Sequence, residues 1–185
     1  MTKCPGGGLC SAWRRAERSI VVRATTSSLA FEGDTLRPVG LRVDLQRGEF
    51  DFAIVGLPEE LARAARERLR AALLNSGFEF PIDRIVIRPV PIRLRVYHPG
   101  MDLALAIALL AATSQIELDQ IADCAFVGEL ALDGSTREWR SLRLEPPVDS
   151  SIRTKLLVVP AGGGVEKALP PGMDIAILRE LQELR

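Results

Sequence analysis

Phe52-Ala53-Ile54-Val55-Gly56-Leu57-Pro58-Glu59-Glu60 marks a change of period within a few residues. Residues 50–55 read as a strand, and Gly56-Leu57-Pro58 ends it. Pro58 suits the first turn of a helix, where its missing N–H is not needed. Glu59 and Glu60 follow, at the end of a helix dipole that favours negative charge. Leu61, Ala64, Ala65, Leu69, Ala72 and Leu73 then recur at helical spacing and form the expected buried stripe. Asn75-Ser76-Gly77 closes the helix, with Gly77 as its left-handed cap.

Upstream, residues 19–26 are rich in β-formers and predict a first strand. Gly33-Asp34 is a turn signal. In residues 39–45, Val39, Leu41, Val43 and Leu45 alternate with Arg42 and Asp44, the pattern of a half-buried strand. Arg47-Gly48-Glu49 is a tight turn, so this strand and residues 50–55 are expected to pair as an antiparallel hairpin.

Downstream, residues 82–90 predict a strand with Ile85, Ile87 and Pro89 on one face. Pro89, Pro91 and Pro99 interrupt regular structure after it. Residues 101–114 are apolar nearly all round and predict a helix at the centre of the fold. Asp102 stands at its start, where a carboxylate can serve free N–H groups. Residues 125–132 predict a strand ended by Asp133-Gly134. A short helix is expected from Pro146-Pro147 to Arg153, strands over 155–159 and 174–177, and a terminal helix over 178–184. No internal repeat is visible.

The bulk composition agrees with one α/β domain. The chain has 185 residues, 47% hydrophobic and 26% charged, with 24 basic and 24 acidic side chains. A net charge of zero argues against coating nucleic acid or anionic membrane by bulk charge. The basic residues are Arg apart from Lys3, Lys155 and Lys167. Cys4, Cys10 and Cys124 cannot all pair, and no secretory signal precedes them, which points to the cytoplasm. His98 is the only histidine, so the four ligands of a structural zinc site are not assembled. No apolar run approaches the ~18 residues that would span a bilayer. Residues 1–18 are expected to be a flexible tail, and 19–185 the domain.

Several words now stand together in order: Ile54-Val55-Gly56-Leu57-Pro58, Arg66-Glu67-Arg68-Leu69-Arg70-Ala71-Ala72-Leu73, Asn75-Ser76-Gly77-Phe78-Glu79-Phe80-Pro81, Asp102-Leu103, and Phe126-Val127-Gly128-Glu129-Leu130-Ala131-Leu132-Asp133-Gly134. This ordered set resembles the N-terminal domain of the magnesium-chelatase-like (ChlI-like) ComM/YifB family. The resemblance covers residues 19–185 and is densest over 52–134. It implies a mixed α/β sheet of the ribosomal-S5-domain-2-like class, similar to the proteolytic domain of Lon proteases and to its relative in RadA.

Lon-type proteases pair a Ser nucleophile with a Lys base, because an unassisted Ser hydroxyl is a weak nucleophile. Their Ser lies in a loop before the buried helix. Here the loop is His98-Pro99-Gly100-Met101, and Gly100 takes the Ser position. Counting past the Gly-Glu-Leu strand, Arg143 takes the Lys position. Glycine carries no nucleophile, and Arg is effectively always protonated. Dyad peptidase activity is therefore not expected, and no catalytic residue, metal or cofactor is assigned.

Full-length members of the resembled family carry an ATP-hydrolysing AAA+ module. Its phosphate loop needs Gly-x-x-x-x-Gly-Lys-Ser/Thr. Gly162-Gly163-Gly164-Val165-Glu166-Lys167 lacks the closing residues, so no such module is expected in this chain. Residues 144–155 depart from the family's Ala-rich helix, with Pro146-Pro147 near their start.

Three other groups invite a chemical reading. His98 and Asp102 are close in sequence, but Ser114 lies at the far end of the helix from them. Glu129 and Asp133 would share a strand face only if the strand ran straight through both; Asp133-Gly134 reads as a turn. Arg63, Arg66 and Arg70 share a helix face, and Arg84 and Arg88 share a strand face. Together with Arg93 and Arg95, they make a candidate surface for phosphate or DNA contact without base reading.

The expected function is a non-catalytic scaffold or interaction domain in DNA recombination or natural transformation. Its implied partners are further copies in a ring, an AAA+ module, or DNA. A diverged hydrolase with an unrecognised site and a stand-alone remnant of a lost AAA+ protein are the alternatives.

Overall fold

Strands β1 (Val21–Glu32) and β2 (Thr35–Gln46) form the long antiparallel ladder on which the rest of the molecule is built. The computed structural model describes residues 21–32, 35–90, 97–139, 154–162 and 172–185. The expected tail, the Gly33-Asp34 turn, Arg93, Arg95, Arg143, the Pro146-Pro147 helix and most of the glycine-rich stretch lie outside the described residues.

The order continues with β3 (Asp51–Ile54), helix α1 (Glu59–Asn75), β4 (Arg84–Val90), a 3-10 turn (Pro99–Met101) and helix α2 (Asp102–Ala112). Then come a 3-10 turn (Leu118–Gln120) and strands β5 (Cys124–Phe126), β6 (Glu129–Leu130), β7 (Thr136–Arg137), β8 (Leu156–Val159) and β9 (Asp174–Ile177). The last element is a 3-10 turn, Leu181–Leu184, in place of the terminal helix expected over 178–184. Seven strands make one mixed sheet in the order β3-β4-β2-β1-β5-β8-β9, while β6 and β7 form a separate ribbon. The protein is thus a mixed α/β fold.

The expected hairpin between β2 and β3 does not form. β4 lies between them, antiparallel to β2 and parallel to β3. Hydrophobicity accounts for the order. Ile85 and Ile87 of β4 are fully buried, so β4 gains most from a central position. Short β3, with exposed Asp51, takes the edge. Helix α1 supplies the crossover that a parallel β3–β4 pair requires.

Among the described residues, helices α1 and α2 cover one face of the sheet. Every residue of α2 is buried, so it forms the centre of the main core. Thr26 and Ser28 on β1 face the same core and are satisfied: their hydroxyls donate to the Ala104 and Phe126 carbonyls at 2.9 and 2.8 Å. Helix α1 buries Ala62, Ala65, Leu69, Ala72 and Leu73. The expected stripe is therefore correct from Ala65 onward but turned at its start, since Leu61 is 54% exposed and Ala62 only 3%. Lying at the edge beside β3, the first turn of α1 has nothing to cover Leu61.

The opposite sheet face is divided. Leu29, Leu36, Ala125, Val127, Leu157 and Val159 build a smaller apolar cluster under Trp139. Over β1, β2 and β4 the same face is polar and carries arginines.

Candidate functional site

The first turn of α2 gathers the polar groups that the core would otherwise exclude. Asp102 is fully buried, and its carboxylate oxygens are both engaged. Arg68 of α1 donates from Nε to Oδ2 at 2.8 Å and from Nη2 to Oδ1 at 3.4 Å. The Tyr97 hydroxyl donates to Oδ1, and Arg68 Nη2 donates to the Tyr97 hydroxyl at 2.8 Å. Charged donors on both oxygens are the strong form of this bond. Burial pushes the Asp102 carboxyl above its ordinary range, and the hydrogen bonds from Arg68 and Tyr97 pull it back only in part. Burial is the largest influence and works against the Arg68 charge, but the hydrogen bonds and charge attraction of Asp102 and Tyr97 together outweigh it and hold the guanidinium above its usual value. Burial also raises the Tyr97 hydroxyl, which stays protonated. By sequence, Asp102 is expected to be a helix-start residue serving free N–H groups. It does begin α2, but its side chain bridges α1 and Tyr97 instead.

Asp102 does not orient His98. The His98 ring stacks on Trp139, with centroids 3.7 Å apart and planes 3° apart. Its Nε2 lies 3.1 Å from the Leu29 carbonyl. Burial lowers its pKa to about 4, so the ring is neutral at neutral pH. A base held this way lacks the carboxylate that a catalytic triad requires.

Gly100 lies beneath the same indole. A Cβ at this position would stand 2.6 Å from Trp139 Cγ and Cδ2, and 3.0 Å from His98 Nδ1. The backbone there is also fixed: Gly128 N–H donates to the Gly100 carbonyl at 2.8 Å, and Leu103 N–H donates to the Gly128 carbonyl at 3.1 Å. The loop is thus closed by Trp139 above and by the β5–β6 connection below.

That connection explains a second correction. Residues 125–132 do not form one strand. The chain leaves the main sheet after Phe126, re-forms as β6 and pairs with β7. Asp133 closes the turn, its Oδ1 accepting from the Ser135 N–H and hydroxyl at 3.0 and 2.7 Å. Those bonds, the hydroxyl's first, hold its carboxyl below the usual range. The turn seats against the end of α1. Asn75 Nδ2 donates to the Leu132 carbonyl at 2.7 Å. Gly134 has φ +88° and no room for a Cβ, which would stand 2.0 Å from Ser76 Oγ. Two separate sequence words, Asn75-Ser76-Gly77 and Leu132-Asp133-Gly134, therefore form one interlocking contact.

A shallow cleft lined by Arg68, Glu129, Leu130, Leu132, Asp133 and Arg137 opens over the buried cluster. Glu129 and Asp133 both line it, but from β6 and its turn rather than from one continuous strand. Among the described residues, no group of three or more His, Cys, Asp or Glu side chains could hold a metal ion. Among them, too, no helix is long and apolar enough to cross a membrane.

The five candidate arginines do not share a surface. Arg63, Arg66 and Arg70 are on α1, over the helix-covered sheet face. Arg63 Nη2 pairs with Glu59 at 3.2 Å, and Arg66 pairs with Glu67 while its guanidinium lies 5.7 Å from the Phe50 ring centre. Arg84 and Arg88 alternate with buried Ile85 and Ile87, so they point to the other face. There Arg84 Nε pairs with Asp51 at 3.3 Å, and Arg88 pairs with Asp44.

Sequence reasoning missed Arg68, Tyr97 and Trp139. Arg68 had a usable signal: it lies three residues after buried Ala65 and next to buried Leu69. A cation on the edge of an apolar stripe implies a buried acid, and Asp102 heads an otherwise apolar helix. Trp139 had none, because nothing local ties it to Gly100.

Known proteins give the same outline. The family of subunit ChlI of Mg-chelatase matches residues 41–162. The chain is 40% identical to the protein YifB of Escherichia coli over 100 residues, 54% of this chain and 20% of that protein. It is 38% identical to competence protein ComM of Haemophilus influenzae over 99 residues, 54% of this chain and 19% of that protein. An uncharacterised protein of Mycobacterium tuberculosis is 31% identical over 160 residues, 85% of this chain and 31% of that protein. The chain thus spans from about a fifth to under a third of the length of these relatives. The match runs from β2 through the buried helix to β8, and the chain belongs to the ChlI family of magnesium-chelatase-like proteins, alongside ComM and YifB.

Proposed function

We propose that this domain is a non-catalytic scaffold or interaction module of a ComM/YifB-type protein that handles DNA in recombination or natural transformation. The observation that carries this reading is Gly100. In the Lon-like pattern its position holds the nucleophile; here it has no side chain, and the Trp139 indole lies where a Cβ would stand. His98 is neutral, stacked and bonded to backbone, while Asp102 is committed to Arg68 and Tyr97. These groups hold the fold rather than face a reacting atom. A module of this kind acts through its surfaces, by contacting copies of itself, an AAA+ module, or DNA.

Sedimentation velocity of the chain, over a concentration series and with a short DNA duplex, tests the reading. The expected result is a faster-sedimenting species, formed with DNA or by self-association. A monomer that ignores DNA at every concentration would contradict it.

A further inference from the structure

The second sheet face holds a feature that the fold does not explain. Rows of directly opposed residues cross β1, β2 and β4. One row runs Thr25–Arg42–Arg88, and the next runs Arg23–Asp44–Val86. Arg42 and Arg88 are thus like charges placed opposite each other on neighbouring strands, an arrangement that destabilises a sheet. Asp44 is the only acid beside them in these rows. It is buried, and it is shared by Arg23, whose Nε donates to Oδ1 at 3.0 Å, and by Arg88. Arg42 is exposed, and its side chain makes no hydrogen bond or ion pair with any described residue. One row further out, Arg84 pairs with Asp51 at 3.3 Å. Four guanidinium groups therefore face two carboxylates.

The surroundings keep this face open. The side chains of Arg23, Arg84 and Arg88 are 66%, 54% and 40% exposed. The row beyond Arg42 consists of Ser27, Gly40 and Val90, which raise no wall. Thr25 adds an exposed hydroxyl beside Arg42.

We infer that the face formed by Arg23, Arg42 and Arg88 binds the phosphodiester backbone of nucleic acid, with Asp44 holding Arg23 and Arg88 in place. An anion between Arg42 and Arg88 removes the repulsion that the strand register imposes. The guanidinium fork matches phosphate oxygens in pairs. From Arg84 to Arg88 the charges extend about 13 Å along β4, and from β1 to β4 about 10 Å across the strands. A flat field of that size suits a chain of regularly spaced phosphates better than one enclosed small anion. No aromatic side chain lies in these rows, which argues against stacking on single-stranded bases; a flat guanidinium field suits contact with the phosphate backbone, which carries no base sequence. The α1 arginines are a weaker candidate, because Glu59, Glu60 and Glu67 on the same helix balance Arg63, Arg66 and Arg70 one for one, whereas the sheet face sets four guanidinium groups against two carboxylates. The inference names a partner class for the interaction module proposed above and rests on that reading.

The test is fluorescence anisotropy of a labelled mixed-sequence duplex, titrated with the whole chain over a salt series. Arg42→Gln, the double variant Arg42→Gln/Arg88→Gln, and Arg63→Gln/Arg70→Gln are compared with the unaltered chain. The expected result is that Arg42→Gln weakens binding severalfold and lowers the salt slope by about one, and the sheet-face double variant by about two. Arg42→Gln carries the test if the double variant fails to fold, because the Arg42 side chain has no bond to a described residue to lose. The α1 variant is expected to bind as the unaltered chain does. Loss that follows the α1 variant instead, or an unchanged slope in Arg42→Gln, overturns the inference while leaving the interaction module intact. Complete displacement of the duplex by millimolar inorganic phosphate would assign the site to the free anion and also overturn it. A chain that binds no duplex but self-associates in sedimentation removes this inference alone; one that does neither removes both.

Discussion

At the scale of single residues, the Gly100 position is decided by contact with Trp139. Inserting Ser there places atoms where the indole stands, and overpacking of this kind costs about 1–3 kcal/mol. Gly100→Ser is therefore expected to destabilise the chain by that amount in urea unfolding. In a Trp139→Ala background the same change is expected to cost far less, since the two sites couple through direct contact. Additive costs would show that the indole is not the obstacle. His98 gives a second residue-level expectation. Its pKa falls to about 4 in the fold, against 6.5 for a free imidazole. Between those values the unfolded chain binds the proton more readily, so stability is full above the upper value and is lost as pH falls toward the lower one. The ceiling for this group is about 3 kcal/mol. Urea midpoints from pH 4 to 7 are expected to rise less steeply in His98→Gln than in the unaltered chain, and parallel profiles would contradict the assignment.

At the scale of elements, period and punctuation make much of the fold legible in the sequence. The all-apolar run at α2 announced a central helix, and Gly56-Leu57-Pro58 announced the start of α1. Strand order was not legible, because adjacency in sequence suggested a β2–β3 hairpin while burial of Ile85 and Ile87 placed β4 between them. The site was legible only in its absences: the missing side chain at Gly100 can be read in sequence, but its cause is a tryptophan 39 residues away in the chain. The five candidate arginines were readable by spacing within each element, yet only the sheet shows that α1 and β4 aim theirs to opposite sides. The turned stripe of α1 supplies a direct check. Leu61→Glu is expected to change stability by no more than about 0.5 kcal/mol, whereas Ala62→Glu buries a charge and is expected to cost about 3 kcal/mol or more. The reverse ranking in thermal or urea unfolding would mean that the helix sits in the rotation the sequence pattern suggested.

At the scale of the whole molecule, two words of sequence far apart in the chain, at the end of α1 and in the turn after β6, lock the helix layer to the β6–β7 ribbon. Arg68, Tyr97 and Asp102 join the same layer to the start of α2. Polar groups that could have served chemistry are used as ties between elements, and Arg23, Arg42, Arg84 and Arg88 lie open on the far side of the sheet. A scaffold of the kind proposed contacts partners and does not cut them. Incubation of the chain with unfolded casein, followed by release of soluble peptides, tests that claim most directly. No release is expected from the unaltered chain; release that disappears in His98→Ala or Asp102→Asn variants that remain folded would overturn the proposal.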